Sequence, residues 1–296
     1  METQQIDVYS IVTGNIIAKL EQGVLPWRKP WTEGGHPQNL FTKRPYTGIN
    51  TWLLGSIGYA QNYYLTWNQI KMVGANVKKG ERGTMVVFWK RINQNAENND
   101  SRPRSILRYY YVFNLAQIED IPDVIRIPDM PSPMNQISSC DEIVERMPNC
   151  PVIKHGKQQA YYDPAKDYIN MPKQGTFLSS ESYYCTLFHE MIHSTGHQSR
   201  LNRKEVTEPQ LFGSHLYSIE ELTAEIGACY LNSIAGIINK EFDNSVAYIQ
   251  GWIAALKQDP RLIVYASGQA QRASDYILNV QSYSGAEVRQ IEVEQA

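Results

Sequence analysis

The chain has 296 residues, 42% of them hydrophobic and 20% charged, with a net charge of −2 at pH 7. That balance suits a globular protein with a sizeable core, in one large or two modest domains, and excludes a largely disordered chain. No run of about 18 apolar residues occurs, so no transmembrane helix is expected, and the start METQQIDVYS lacks the basic and apolar regions of a cleaved signal. The net figure hides a split: residues 1–115 carry +7 and the remainder −9. Such asymmetry predicts different partners for the two parts. Cys140, Cys150, Cys185 and Cys229 form no CxxC pair and read as free thiols in a reducing cytoplasm.

Val8, Val12, Ile16 and Leu20 recur at helical spacing. They predict an amphipathic helix over 7–22, started by Asp7 and stopped by Gly23. Residues 24–50, rich in Pro and Gly, read as irregular. TWNQIKMV (66–73) predicts a short helix ending at Gly74. TMVVFWKRI (84–92) and SILRYYYVFNL (105–115) are β-branched and aromatic, and predict two paired strands around a polar insert. IPDVIRIPDMPSPMNQ (121–136) holds four prolines and reads as a linker. It separates a domain at 1–120 from one at 137–296. QAYYDPAKDYINMP (159–172) predicts two short strands around DPAKD. Helices are predicted at 180–195, 218–236, 243–257 and 261–280. The expected class is α+β in two domains, the second mostly helical with a small sheet.

Within the helix predicted at 180–195 stands His189-Glu190-Met191-Ile192-His193. Histidines four apart share one helix face, and two imidazoles so placed can bind one zinc ion. Glu190 projects beside them, where it can act as general base toward water; this is the HExxH pattern of zinc proteases. His197 lies eight residues from His189, about 12 Å along a straight helix. It cannot close on the same ion and is expected to support the site from outside. A third ligand must come from elsewhere. Glu221 and Glu225 lie one turn apart on the helix predicted at 218–236. Glu221-Leu-Thr-Ala-Glu225 resembles the ExxA[DE] pattern of proteases whose third ligand is glutamate. That resemblance implies Glu221 as ligand and Glu225 as a hydrogen-bonding partner of a histidine. Glu225-Ile-Gly-Ala228 also fits ExxA, so the reverse assignment stays open. Tyr217 and His215 are candidates to steady an oxyanion.

The front half carries a different signal. Residues 22–95 hold ten Lys and Arg against two acids, with eleven aromatic residues. Basic groups neutralise phosphates and flat rings stack on unpaired bases, so the mixture predicts binding to single-stranded DNA rather than duplex. The candidate contacts are Trp27, Arg28, Lys29 and Trp31 of PWRKPW, Lys43, Arg44 and Tyr46, then Lys78, Lys79 and Arg82 of KKGERG, and Trp89 and Lys90.

GVLPWRKPW, RPYTGIN and KKGERGTMVVFWK together resemble the N-terminal domain of ArdC-type antirestriction proteins. YYCTLFHEMIHSTGHQSRLNR and EELTAEIGA resemble their C-terminal zincin-like metalloprotease domain. The resemblance runs through nearly the whole chain. It implies a cytoplasmic, plasmid-borne protein that binds single-stranded DNA nonspecifically and protects incoming DNA from host restriction. It also implies a gluzincin-like metallopeptidase site with Zn2+, or another divalent metal such as Mn2+. The protein substrate would be a restriction enzyme or a DNA-bound protein, and no membrane is involved. The alternative is a DNA-coating protein whose metal site is structural or inactive. An acidic DNA mimic is disfavoured by the +7 front half.

Overall fold

The computed structural model describes residues 7–27, 36–92, 104–122, 136–208, 214–237 and 246–280. They divide into two compact units, 7–12 with 36–122 and 13–27 with 136–280. Each unit combines helices with small sheets, the expected α+β arrangement.

Helix α1 (Val8–Glu21) buries the predicted stripe, Val8, Val12, Ile16 and Leu20. In the first unit the main sheet has four strands in the order β1-β2-β5-β4. These are β1 (Gln38–Asn39), β2 (Tyr63–Thr66), β4 (Thr84–Ile92) and β5 (Arg104–Asn114). The predicted pair β4 and β5 is antiparallel, with Val86 opposite Tyr110 and Trp89 opposite Leu107. Alternation sends successive side chains to opposite faces. On one face Tyr64, Val86 and Val112 are buried with Tyr46 and Leu54. On the other, Leu65 and Phe113 pack with Leu40 and Ile70.

Two helices, α2 (Ile49–Gly55) and α3 (Trp67–Met72), and a small sheet of β3 (Asn76–Val77) with β6 (Ile118–Glu119), complete the unit. Helix α3 forms where predicted because Thr66 and Gln69 make a reciprocal capping box. The stretch 24–50 is not wholly irregular: β1 and the start of α2 lie in it, and β2 follows unforeseen. A two-residue strand has no periodicity to read.

The second unit holds a three-stranded sheet in the order β7-β9-β8: β7 (Val152–Lys154), β8 (Tyr161–Asp163) and β9 (Tyr168–Asn170). The predicted hairpin is β8 with β9, and β7 joins β9 in parallel. The helices are α4 (Gln136–Arg146), α5 (Ser180–Thr195), α6 (Lys204–Thr207), α7 (His215–Ala235), α8 (Val246–Gln258) and α9 (Leu262–Ile277). Helix α4 was not expected; it starts in the last residue of the predicted linker, whose residues 123–135 lie outside the described ones.

Helix α5 is capped by Ser179, whose side chain accepts from the Ser182 backbone N–H. Its apolar face, with Phe188, Met191 and Ile192, is buried against Ala224, Ala228 and Leu231 of α7 and Ala273 and Ile277 of α9. Helix α7 approaches α5 closely at Gly227, where a Cβ would lie 2.6 Å from Ile192 Cδ1. The absent side chain thereby sets how near the two site-bearing helices come. All four cysteines are free, and no helix of the described residues is long and apolar enough to cross a membrane.

Candidate metal centre

One turn of α5 aims His189 Nε2 and His193 Nε2 at a common point, 3.1 Å apart. Glu221 reaches across from α7, with Oε2 3.8 Å from His189 Nε2 and Oε1 3.7 Å from His193 Nε2. Ligand bonds of about 2.0–2.1 Å in a tetrahedron put donor atoms roughly 3.3 Å apart. The three observed separations bracket that value, so the donor set fits a zinc-sized divalent ion. The electrostatics agree. Burial and the neighbouring His193 charge hold the His189 pKa well below the ordinary value. Burial also depresses His193, but its hydrogen bond to Glu220 and the charges of Glu221, Glu220 and Glu190 lift it to about 9.

His193 is held from behind by a second carboxylate of α7. His193 Nδ1 donates to Glu220 Oε1 at 3.0 Å, leaving Nε2 to face the site. Glu220 is gripped by Arg203, Nε to Oε2 at 3.0 Å and Nη2 to Oε1 at 2.6 Å. Burial would raise the Glu220 pKa; the Arg203 charge and the His193 bond hold it below the ordinary range. His189 Nδ1 is buried without a hydrogen bond and faces Glu225 Oε2 at 3.8 Å. Of the two acids read from the sequence, Glu221 thus lies beside both Nε2 atoms and Glu225 lies behind His189.

Glu220 and Arg203 were missed. In EELTAE (220–225) three carboxylates crowd within six residues of α7, and adjacent helix positions point about 100° apart. Spacing alone does not tell which acid meets which histidine. Arg203 carries no motif signal. His197, expected to support the site, is turned instead to Ser199 Oγ at 2.8 Å and Asp167 Oδ2 at 3.8 Å. It also lines the cleft that holds His189 and His193.

Glu190 is buried, 8% exposed. Burial raises its pKa, Glu221 adds to the rise, and His193 and a Tyr162 backbone hydrogen bond oppose it. A raised pKa suits a carboxylate that takes a proton and returns it. A cleft of about 840 Å³ opens over the group, lined by Tyr162, His189, Glu190, His193, Tyr217 and Glu221 among others. Tyr217 remains a candidate to face a reacting carbonyl, while His215 lies near Asp259 Oδ2 at 3.8 Å.

The front-half candidates separate. Arg28, Lys29 and Trp31 lie outside the described residues. Trp27 belongs to the second unit, 1% exposed, with its ring edge-on to Trp252 at 5.5 Å. Tyr46 is 6% exposed and meets Tyr64 edge-on. Neither ring can stack on a base, because each is used as core. Lys43, Lys78, Lys79, Arg82 and Lys90 are exposed and Arg44 is half-buried. Trp89 is 43% exposed beside Tyr9. Trp89 and Lys90, adjacent on β4, point to opposite faces of the sheet.

Comparison with known proteins gives the same two-part picture. Residues 6–113 match the N-terminal domain of anti-restriction factor ArdC, and residues 141–269 match a zincin-like metallopeptidase family. The chain is 31% identical to the uncharacterized protein y4eC of Sinorhizobium fredii (strain NBRC 101917 / NGR234), with 93% of each covered. It is 33% identical to a DNA primase TraC of Escherichia coli and spans only 26% of that protein's length. The metal-free crystal structure of antirestriction ArdC from plasmid R388 superposes with a TM-score of 0.75 at 36% identity, over 94% of this chain and 100% of that one. Its Mn(II)-bound structure gives 0.74 at 36% identity, over 93% and 98%. With both domains matched in order and similarity running nearly end to end, the chain belongs to the ArdC antirestriction family, an ArdC-type N-terminal domain followed by a zincin-like metallopeptidase domain.

Proposed function

We propose that this chain counters restriction with two activities, a divalent-metal peptidase site in its second unit and single-stranded DNA binding in its first. The observation that carries the enzymatic part is the convergence of two imidazole Nε2 atoms 3.1 Å apart on a carboxylate, beside a buried glutamate. His189, His193 and Glu221 are the residues to hold the ion, and a working boundary between the two functions falls at 121–136. Mn2+ is the first metal to test, because a 36% identical relative was crystallised with Mn(II); Zn2+ is the second.

When bound, the ion supplies Lewis acidity toward water and toward a peptide carbonyl. The protein's own groups do the rest. Glu190 takes a proton from water and returns it to the leaving amine, which its raised pKa suits. Glu220 holds the His193 imidazole so that its Nε2 stays aimed at the ion, and Glu225 places a carboxylate 3.8 Å behind His189 Nδ1. Strand β8 borders the cleft with Tyr161 and Tyr162 and lies at the edge of its sheet, offering backbone groups to an extended peptide.

The test is Glu190→Ala in the full chain. Metal should still bind, as read by calorimetry with Mn2+ and Zn2+, while cleavage of DNA-bound and restriction proteins and protection of transferred DNA are lost. Protection that persists unchanged in this variant would sink the enzymatic reading and leave DNA coating as the function.

A further inference from the structure

The first unit exposes aromatic rings that its core does not use. Along β5, Tyr109, Tyr111 and Phe113 fall on one face of the four-stranded sheet. Tyr111 is 52% exposed and meets Tyr109 edge-on, ring centroids 5.8 Å apart. Phe113 is buried, and Trp67 of α3 lies beside it at 5.8 Å while itself 47% exposed. One turn further along α3, Lys71 Nζ stands 5.3 Å from the Trp67 ring centroid. The KKGERG loop runs against the same face: a Cβ on Gly83 would lie 3.0 Å from Tyr111 Cβ. Lys79 and Arg82 of that loop are exposed. Its one acid, Glu81, accepts a hydrogen bond from Gln117 Nε2 at 2.8 Å.

Half-exposed Trp and Tyr on one face, with cations beside them, mark a partner that is both flat and anionic. Side chains on one face of a strand recur every ~6.8 Å, room for each ring to take a separate unpaired base. A duplex keeps its base faces hidden and cannot use such a row. We infer that this sheet face, with Trp67, Tyr109 and Tyr111 flanked by Lys71, Lys79 and Arg82, is where the bases of single-stranded DNA stack. The inference rests on the proposed single-strand binding and gives it a location. That location differs from the PWRKPW and FTKRPY segments singled out in the sequence, because Trp27 and Tyr46 are core.

The test uses the full chain and the anisotropy of labelled oligothymidine, with the matching duplex as competitor. Trp67→Ala and Tyr111→Ala should each raise Kd by about five- to a hundredfold. Tyr111→Phe keeps the ring and should bind as the unmodified chain does. Ile106→Ala, on the opposite face of β5, should leave Kd unchanged, and melting curves check that each variant folds. Tight binding by the Trp67→Ala, Tyr111→Ala double variant would overturn the location while leaving single-strand binding intact. Absence of oligothymidine binding by the unmodified chain would overturn both. Normal DNA binding by the double variant with loss of a protein partner would assign the face to that partner instead.

Discussion

Replacing Glu220 by Ala separates what holds the metal site from what holds the fold. Glu220 and Arg203 are a nearly dry pair, with side chains 7% and 2% exposed. Deleting the carboxylate leaves a buried guanidinium without its counter-charge, which costs about 3–5 kcal/mol in comparable pairs. Arg203 keeps its bonds to the Ile192 carbonyl and to Thr195 Oγ1, so the lower end, about 3 kcal/mol, is expected here. The same deletion frees His193 Nδ1, and loss of such a partner lowers metal affinity by about 10–100-fold. The double variant Glu220→Leu, Arg203→Met removes the orphaned charge. Its stability should recover while its affinity for Mn2+ stays low. Thermal or urea unfolding gives the first quantity and calorimetric titration with Mn2+ the second. A Glu220→Ala protein that melts like the unmodified chain, or binds Mn2+ as tightly, would refute the chain of support from Arg203 through Glu220 to His193.

Other expectations follow from the same packing. Gly227→Ala drives a methyl into Ile192, which is fully buried and cannot move aside. It should cost about 1–3 kcal/mol, measured by urea unfolding, with partial rescue by adding Ile192→Val. Glu221→Ala should abolish Mn2+ binding in calorimetry, whereas Glu225→Ala should weaken it by about 10–100-fold; the reverse order would exchange their roles. Burial acts to raise the Asp167 pKa, but hydrogen bonds from Arg200 and Tyr162 and the Arg200 charge bring it below the ordinary carboxylate value. A depressed folded pKa contributes stability that is full above the unfolded pKa, about 3.9, and is lost as pH falls through the folded value. Asp167→Asn should therefore lower stability at neutral pH by about 1–2 kcal/mol, since Asp167 is partly solvated. The gap to the unmodified chain should close in melting curves taken below that range; a gap that persists would mean the carboxylate charge is not what matters.

Spacing along the chain was enough where one element carried a strong local period or cap. Two histidines one turn apart on a capped helix declare a metal face before any fold is known, because i and i+4 are neighbours in every α-helix. The strand pair β4 and β5, helix α3 and the buried stripe of α1 were legible for the same reason: their signals are local periods and caps. The two-domain α+β class was also legible, from the change of charge and the proline-rich stretch; that residues 13–27 group with the second unit was not. Which acid stands by which histidine was not. That depends on how closely α7 lies against α5, set by Gly227 over Ile192, and on Arg203 arriving from a short helix with no motif of its own. The aromatic rings of the front half of the chain show the same division. Trp27, Tyr46, Trp67 and Tyr111 are alike as letters in a basic, aromatic stretch. Only the packing of distant segments buries the first two, against Trp252 and Tyr64, and leaves the last two in water. Burial is a property of what lies across from a residue, and that neighbour is supplied by tertiary structure rather than by the residues beside it in the chain.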